Sequence, residues 1–176
     1  SNMKGRAEID LQPNQNKNIV FFHSKELQWY VARDPLHAQG TPDLIDGNDN
    51  SGTGPAMSFA KSLIGNYTST KIGLIPAAVG GAPIDSFSDK GEFYHRSLKL
   101  LKQCKETSKA NFKLKAILWL QGESDSTEES YQSYEDKLLN LVDRYREDLQ
   151  SPKLPFIACT IGSFVHKGAF LYAKEI

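Results

Sequence analysis

The sequence predicts a three-layer α/β domain, in which helices cover both faces of a parallel sheet. Two features of the pattern lead to this prediction: the apolar runs show no inside-outside alternation, and amphipathic segments separate them. The length of 176 residues is that of one ordinary domain, so residues 1–176 are assigned to a single domain.

The composition excludes several classes of partner. The 21 basic residues balance the 21 acidic residues, so the chain has no net field that would hold a nucleic acid or an anionic membrane. No apolar run reaches the length of a membrane helix. The 2 cysteines show no Cys-x-x-Cys spacing and the 4 histidines are scattered, so no metal is expected.

The first third of the chain predicts little regular structure. Residues 4–54 are dense in Asn, Gln, Pro, Gly and Asp, and only the short apolar pieces 19–22 and 29–32 interrupt them. We therefore expect a long surface loop there, and loops of this length often form binding or catalytic sites. A first helix is predicted from Pro55 to a stop at Gly65-Asn66, because apolar residues recur at helical spacing between them.

Strand and helix signals then alternate. Residues 71–79 predict a strand and 93–110 a helix, and the unit repeats with an apolar run at 114–120. The next helix is expected to open at Ser126, where Glu129 completes a capping box. The final apolar runs, at 155–164 and 170–172, predict a strand and the start of another helix.

Ligands of an open parallel sheet bind beyond the carboxyl ends of its strands. Polar or glycine residues follow two of these ends. Gly80-Gly81 follows the run 71–79, and a backbone without Cβ atoms can approach a ligand closely. The polar segment 121–125 follows the run 114–120. A tight turn at the glycines and a helix cap at 124–126 would explain the same residues about equally well.

Five separated motifs extend over essentially the whole chain: residues 1–6, 52–55 with 58–60, 73–77, Gly80-Gly81, and Trp119-x-Gln121-Gly122-Glu123-Ser124-Asp125. In this order and spacing they resemble the SGNH hydrolase superfamily, and within it the carbohydrate esterases of family six and the sialate O-acetylesterase-like group. The resemblance implies a flavodoxin-like strand order of 2-1-3-4-5. The chain is then expected to be truncated at both ends, lacking the central strand before Ser1, unless residues 19–22 supply that strand.

The resemblance also implies an acyl-transfer site. Ser1, in Ser-Asn-Met, matches the nucleophile, although a Ser-Asn dipeptide left by cloning is an alternative origin for residues 1–2. Three oxyanion donors are implied: the Ser1 N–H, an N–H of the Gly80-Gly81 turn, and the side-chain amide of Gln121. Glu123 shares the last motif, either as part of the site or as a brace of its loop.

The general base is not assigned. In the family it is the histidine of a C-terminal Asp-x-x-His block, and no such block occurs in the C-terminal part of these residues; the single Asp-x-x-His, Asp34-Pro35-Leu36-His37, lies near the opposite end. His166 follows a predicted strand, but Ser163 stands where the aspartate would be, and Leu120 replaces a histidine of the family motif. The candidates for substrate binding are Arg6, which follows the family pattern, the possible sugar-stacking rings Trp29 and Phe87, and His37.

By this resemblance the protein is expected to be a serine-dependent carbohydrate O-acetylesterase. It would hydrolyse acetyl esters on xylan- or sialic-acid-like sugars through an acyl-enzyme, without metal or cofactor. The alternative is a non-catalytic carbohydrate-binding pseudoenzyme of the same fold, which the missing base favours. An acetylated carbohydrate is the expected partner, rather than nucleic acid or membrane, and the resemblance suggests an extracellular or periplasmic location.

Overall fold

The computed structural model describes residues 16–36, 52–65, 71–108, 112–162 and 170–176. The chain divides into two compact units. The C-terminal unit consists of residues 1–3, 80–97 and 112–176, and the N-terminal unit consists of residues 4–79 and 98–111. The assignment of residues 1–176 to a single domain stays a prediction.

The N-terminal unit contains a three-stranded sheet of order β2-β1-β3. Strand β1 (Ile19–His23) pairs antiparallel with β2 (Gln28–Val31) and parallel with β3 (Ile72–Leu74). Its aromatic and β-branched side chains favour a half-buried strand, and Ile19, Phe21 and Phe22 are buried. The prediction of irregular structure is therefore wrong for β1 and β2, and the predicted surface location is wrong for β1 only, because three of the four residues of β2 are exposed. The parallel pairing of β1 with β3 supports the alternative in which residues 19–22 supply a strand of the parallel sheet.

Helix α1 (Pro55–Ile64) packs on this sheet. Proline occupies the first turn, where its missing N–H costs nothing, and Gly65 forms the C-cap, so the predicted bounds are confirmed. The core of the unit combines buried residues of the sheet, the helix and the segment after β2: Ile19, Phe21, Ala32, Leu36, Met57 and Ala60.

In the C-terminal unit, β4 (Ile117–Trp119) pairs in parallel with β5 (Phe156–Ala158). Two further helices among the described residues are α2 (Glu92–Thr107), whose residues fall in both units, and α3 (Tyr134–Asp148). The strand predictions are right in position but too long, because pairing covers only three residues of each apolar run in β3, β4 and β5. Pro76 and Pro155, which have no backbone N–H, stand beside two of these short strands.

Helix α3 begins later than the capping box predicts. The hydroxyl of Ser126 donates to Glu123 O at 2.7 Å, across a short 3₁₀ turn (Glu123–Asp125), and so does not cap a helix. A second 3₁₀ turn (Tyr131–Ser133) then leads into α3. The helical spacing of the sequence also predicts that Tyr134, Leu141 and Tyr145 share one apolar face of this helix, and all three are buried in α3.

The α/β class and the parallel pairing of two strand pairs are thus confirmed. The three-layer arrangement and the flavodoxin-like strand order stay predictions. Among the helices in the described ranges, none is long and apolar enough to cross a membrane.

Candidate active site

Two segments of the C-terminal unit meet after the end of β4. We name residues 80–82 the glycine turn and residues 121–126 the polar turn. Three hydrogen bonds tie the polar turn to the glycine turn and to Ile84 just beyond it: Ser124 Oγ to Gly81 O at 2.9 Å, Gln121 Nε2 to Ala82 O at 3.0 Å, and Ile84 N to Asp125 Oδ2 at 2.8 Å. The two strand ends that stood out in the sequence therefore lie in contact.

The side-chain amide of Gln121 is held from both sides. Its Oε1 accepts a hydrogen bond from the Tyr134 hydroxyl at 3.0 Å, and the same hydroxyl lies 2.8 Å from the backbone oxygen of Gln121. Its Nε2 donates to Asp125 Oδ2 at 2.6 Å as well as to Ala82 O. The indole N–H of Trp119 in turn donates to the Tyr134 hydroxyl at 3.1 Å. The orientation of this amide is consequently fixed by its neighbours.

Two carboxylates of the polar turn are buried. Glu123 is 5% exposed and Asp125 is 2% exposed. Burial of an ionised group is costly unless donors compensate it, and the two donors to Asp125 Oδ2 supply that compensation. Burial raises the pKa of Tyr134 to about 12, and the charges of Asp125 and Glu123 contribute to the increase. Tyr134 therefore stays protonated and able to donate at neutral pH.

The backbone at Gly122 admits only glycine. This residue is buried and has φ +147°, a conformation that L side chains rarely adopt. A Cβ atom there would lie 2.6 Å from Ile161 Cδ1 and 2.7 Å from Ile176 Cγ2. The absence of a side chain lets these two isoleucines close over the turn between Gln121 and Glu123.

The glycine turn is open to solvent. Gly80 and Gly81 are both exposed, and a Cβ at Gly81, where φ is +73°, would meet no atom within 4 Å. Within the described ranges, neither glycine N–H donates a backbone hydrogen bond. Unshielded N–H groups beside open space can donate to an oxygen atom of a bound ligand.

The predicted site residues fall into three groups. The structure brings together the members in the two turns, Gly80, Gly81, Gln121 and Glu123. Ser1, Arg6, His37 and His166 lie outside the described residues. The third group consists of the two aromatic candidates for sugar stacking.

Each of those aromatic side chains packs against other residues of its own unit. Phe87 is only 6% exposed, and its ring centroid lies 5.0 Å from that of Trp119 and 5.6 Å from that of Phe93. We therefore leave Phe87 out of the proposed substrate site. Trp29 belongs to the N-terminal unit, where its indole N–H donates to Ser108 Oγ at 2.7 Å and its ring covers Gly73.

Sequence reasoning missed the part that Tyr134 plays in the site. Tyr134 counted only as a member of the apolar face of α3, yet its hydroxyl contacts the backbone and the side chain of Gln121. The available signal was its residue type, because a buried tyrosine needs a hydrogen-bond partner for its hydroxyl. Asp125 was noticed as polar but was given no role.

Comparison with known proteins adds an independent finding. A family model described as carbohydrate esterase, sialic acid-specific acetylesterase matches residues 1–175. The probable carbohydrate esterase At4g34215 of Arabidopsis thaliana is 35% identical over 180 residues, which cover 93% of this chain and 66% of that protein. An X-ray structure of the Arabidopsis thaliana protein AT4G34215 matches with a TM-score of 0.80 and 30% identity, covering 99% of this chain and 69% of the solved chain. The chain thus spans about two thirds of the length of the relative that it matches.

Proposed function

The chain belongs to the carbohydrate esterase, sialic acid-specific acetylesterase family, and from that premise we propose that the protein is a serine-dependent carbohydrate O-acetylesterase. Its substrates in this proposal are acetyl esters on xylan- or sialic-acid-like sugars. The observation that carries the proposal is the contact between the exposed glycine turn and the polar turn with its neutral amide. Both features suit a site that receives a carbonyl oxygen on which negative charge develops.

In the proposed reaction, Ser1 Oγ attacks the carbonyl carbon of the acetyl group and an acyl-enzyme forms. The sugar hydroxyl leaves with a proton, and water then cleaves the acyl-enzyme to release acetate. The N–H groups of Gly80 and Gly81 are available to stabilise the oxyanion of each tetrahedral intermediate. One such donor commonly contributes about 2.7–4 kcal/mol to lowering the barrier.

Gln121 can serve as a further donor by exchanging one partner. Both N–H groups of its amide are engaged, one with the carboxylate of Asp125 at 2.6 Å and one with Ala82 O at 3.0 Å. The bond to the carboxylate is shorter and charge-assisted, so the neutral bond to Ala82 O is the one that an oxyanion would displace. In the proposed mechanism the oxyanion thus replaces Ala82 O as the acceptor of that N–H, while the bond to Asp125 keeps the amide in place.

The pseudoenzyme remains the second candidate because the family's C-terminal Asp-x-x-His block has no match in residues 38–176; the single Asp-x-x-His, Asp34-Pro35-Leu36-His37, lies near the other end. Without a base, a serine hydroxyl is too weakly acidic to attack an ester at neutral pH. A protein of this kind would bind acetylated oligosaccharides without releasing acetate, so binding and turnover must be measured separately.

The test uses protein expressed from the complete coding sequence, assayed with p-nitrophenyl acetate, acetylated xylan and an O-acetylated sialic acid. We expect release of acetate from one of the sugars, and loss of that turnover in Ser1→Ala with an unchanged circular dichroism spectrum. The control is Ser62→Ala, since this exposed serine on α1 donates only within its own helix, to Ser58 O. Unchanged activity in Ser1→Ala would remove Ser1 from the mechanism. Saturable sugar binding without any turnover in the wild type would establish the pseudoenzyme instead.

A further inference from the structure

Asp125 is the least exposed carboxylate among the described residues, and it lies between the two halves of the candidate site. A single oxygen atom, Oδ2, accepts a hydrogen bond from the side chain of Gln121 at 2.6 Å and from the backbone N–H of Ile84 at 2.8 Å. The first donor belongs to the polar turn, and the second lies two positions after the glycine turn. One buried negative charge therefore fixes both segments.

From this geometry we propose that Asp125 is a positioning residue of the esterase site, which holds the Gln121 amide and the glycine turn in the arrangement that receives the oxyanion. The proposal rests on the proposed function and deepens it. Asp125 acts through Gln121 and Ile84 and does not itself need to touch the substrate.

The charge of Asp125 determines which way the Gln121 amide faces. If the amide turned over, its carbonyl oxygen would face the carboxylate, and the two acceptors would repel each other. The Tyr134 hydroxyl favours the same orientation from the opposite side, because it donates to Oε1. Asp125 thereby keeps the nitrogen of Gln121, and not its oxygen, directed toward the glycine turn.

Structural stability alone does not explain a buried carboxylate at this position. A well-packed apolar side chain of similar volume is often as stabilising as a buried charge. The carboxylate, in contrast, orders two donors that the proposed site needs in fixed places. Since a displacement of about 1 Å can reduce an enzymatic rate about 10²-fold, loss of this order is expected to lower catalysis.

The experiment compares three variants expressed from the complete coding sequence. Asp125→Ala removes both hydrogen bonds, whereas Asp125→Asn retains an oxygen that can accept them without the charge. The matched control is Asp85→Asn, because Asp85 is next to Ile84 in sequence but its side chain is exposed and pairs with Lys137 at 2.9 Å. We measure kcat and KM for acetyl ester hydrolysis, and hydrogen–deuterium exchange in peptides covering residues 80–84.

For Asp125→Ala we expect kcat to fall by about 10²-fold while KM changes little, with faster exchange over residues 80–84. Asp125→Asn keeps an acceptor but loses the charge, so its kcat is expected to fall about 10-fold, between wild type and Asp125→Ala, and Asp85→Asn is expected to behave as wild type. A wild-type kcat in Asp125→Ala, or an equal loss in Asp85→Asn, would overturn the proposal. If Asp125→Ala fails to fold, Asp125→Asn carries the test: a rate and an exchange pattern identical to wild type, after the charge is lost, would contradict the role of that charge.

The two failures are distinguishable. If the wild type hydrolyses no acetyl ester, the proposed function fails, and exchange alone then decides the positioning role. Faster exchange over residues 80–84 in Asp125→Ala, but not in Asp85→Asn, would still show that Asp125 holds the glycine turn. Unchanged exchange in both would refute it.

Discussion

Replacement of Gly122 by alanine tests the packing on which the polar turn depends. The turn is shaped by a buried residue with φ +147°, over which Ile161 and Ile176 close. An added Cβ would lie 2.6 Å from the nearest side-chain atom, a separation that real Cβ atoms essentially never show. Gly122→Ala must therefore strain the backbone, displace the isoleucines, or do both.

The two costs can be estimated separately. A non-glycine residue in a sparsely populated backbone region costs on the order of 1–3 kcal/mol. The atoms that a Cβ would meet are methyl groups of the Ile161 and Ile176 side chains, which can move, so the overlap adds about 0.5–1.5 kcal/mol, the cost of a side chain pushed off its rotamer. We therefore expect Gly122→Ala to lower the free energy of unfolding by about 1.5–4.5 kcal/mol, a large part of the roughly 5–15 kcal/mol that stabilises an ordinary domain.

Alanine variants of two other glycines serve as controls that separate the cost of backbone strain from the cost of steric overlap. Gly81 also has a positive φ, +73°, but no atom lies within 4 Å of its Cβ position, so Gly81→Ala should show the strain alone. Gly65 has φ −58° and its Cβ position lies 3.9 Å from Ser62 O, so Gly65→Ala should be close to neutral. The assay is urea unfolding of all three variants and the wild type. If Gly122→Ala is as stable as Gly81→Ala, or more stable, the packing argument is wrong.

The remaining predictions concern Tyr134, Gln121 and Glu123. Tyr134→Phe leaves the Trp119 indole N–H without its partner and should destabilise the protein by about 1–3 kcal/mol in urea unfolding; a change near zero would show that this hydroxyl is not needed. Burial raises the pKa of Tyr134 from 10.0 to about 12. The contribution of Tyr134 to the free energy of unfolding is therefore complete below pH 10 and is lost as the pH rises toward 12. Between these pH values the free energy of unfolding should fall less steeply in Tyr134→Phe than in the wild type, and identical profiles would contradict the shift. Gln121→Ala should lower kcat by about 10²–10³-fold with a modest change in KM, whereas a change in KM alone would indicate that Gln121 binds the substrate in the ground state. Glu123→Gln is also expected to reduce activity.

The helices could be predicted from the sequence where their ends carry local signals. Pro55 and Gly65 mark the limits of α1, and both act through their own backbone, so the prediction needed no tertiary contact. The start of α3 could not be predicted in this way. Ser126 and Glu129 match a capping box in sequence, but the Ser126 hydroxyl donates backward to Glu123 O and a second 3₁₀ turn intervenes. A local pattern with two possible hydrogen-bond partners does not determine which of them is used.

The ends of the strands could not be predicted from local signals, because they depend on the neighbouring strand with which each one pairs. The apolar run 114–120 is continuous, yet only Ile117–Trp119 is paired, since β5 offers three residues in register. Residues 19–22 were placed within a loop because their neighbours are rich in turn-forming residues. Their pairing with β3 depends on residues about fifty positions away, and no local composition reveals such a pairing.

The location of the site could be predicted from the sequence, but the roles of its residues could not. The polar turn after β4 could be located because its polar residues occur within a few positions of one another. Which side chain orients which could not, because the bonds between the polar turn and residues 81–84 join positions 39, 41 and 43 residues apart and the bond from Tyr134 joins positions 13 apart; the bond from Gln121 to Asp125 is local, but its neighbours in sequence offered other partners. Gln121 looks like a donor in any arrangement, but whether the nitrogen or the oxygen of its amide faces the glycine turn depends on the buried charge of Asp125. For this reason the variants of Asp125 test the site more sharply than those of Gln121: loss of Gln121 removes a donor, whereas loss of Asp125 leaves the donor present and tests whether its orientation matters.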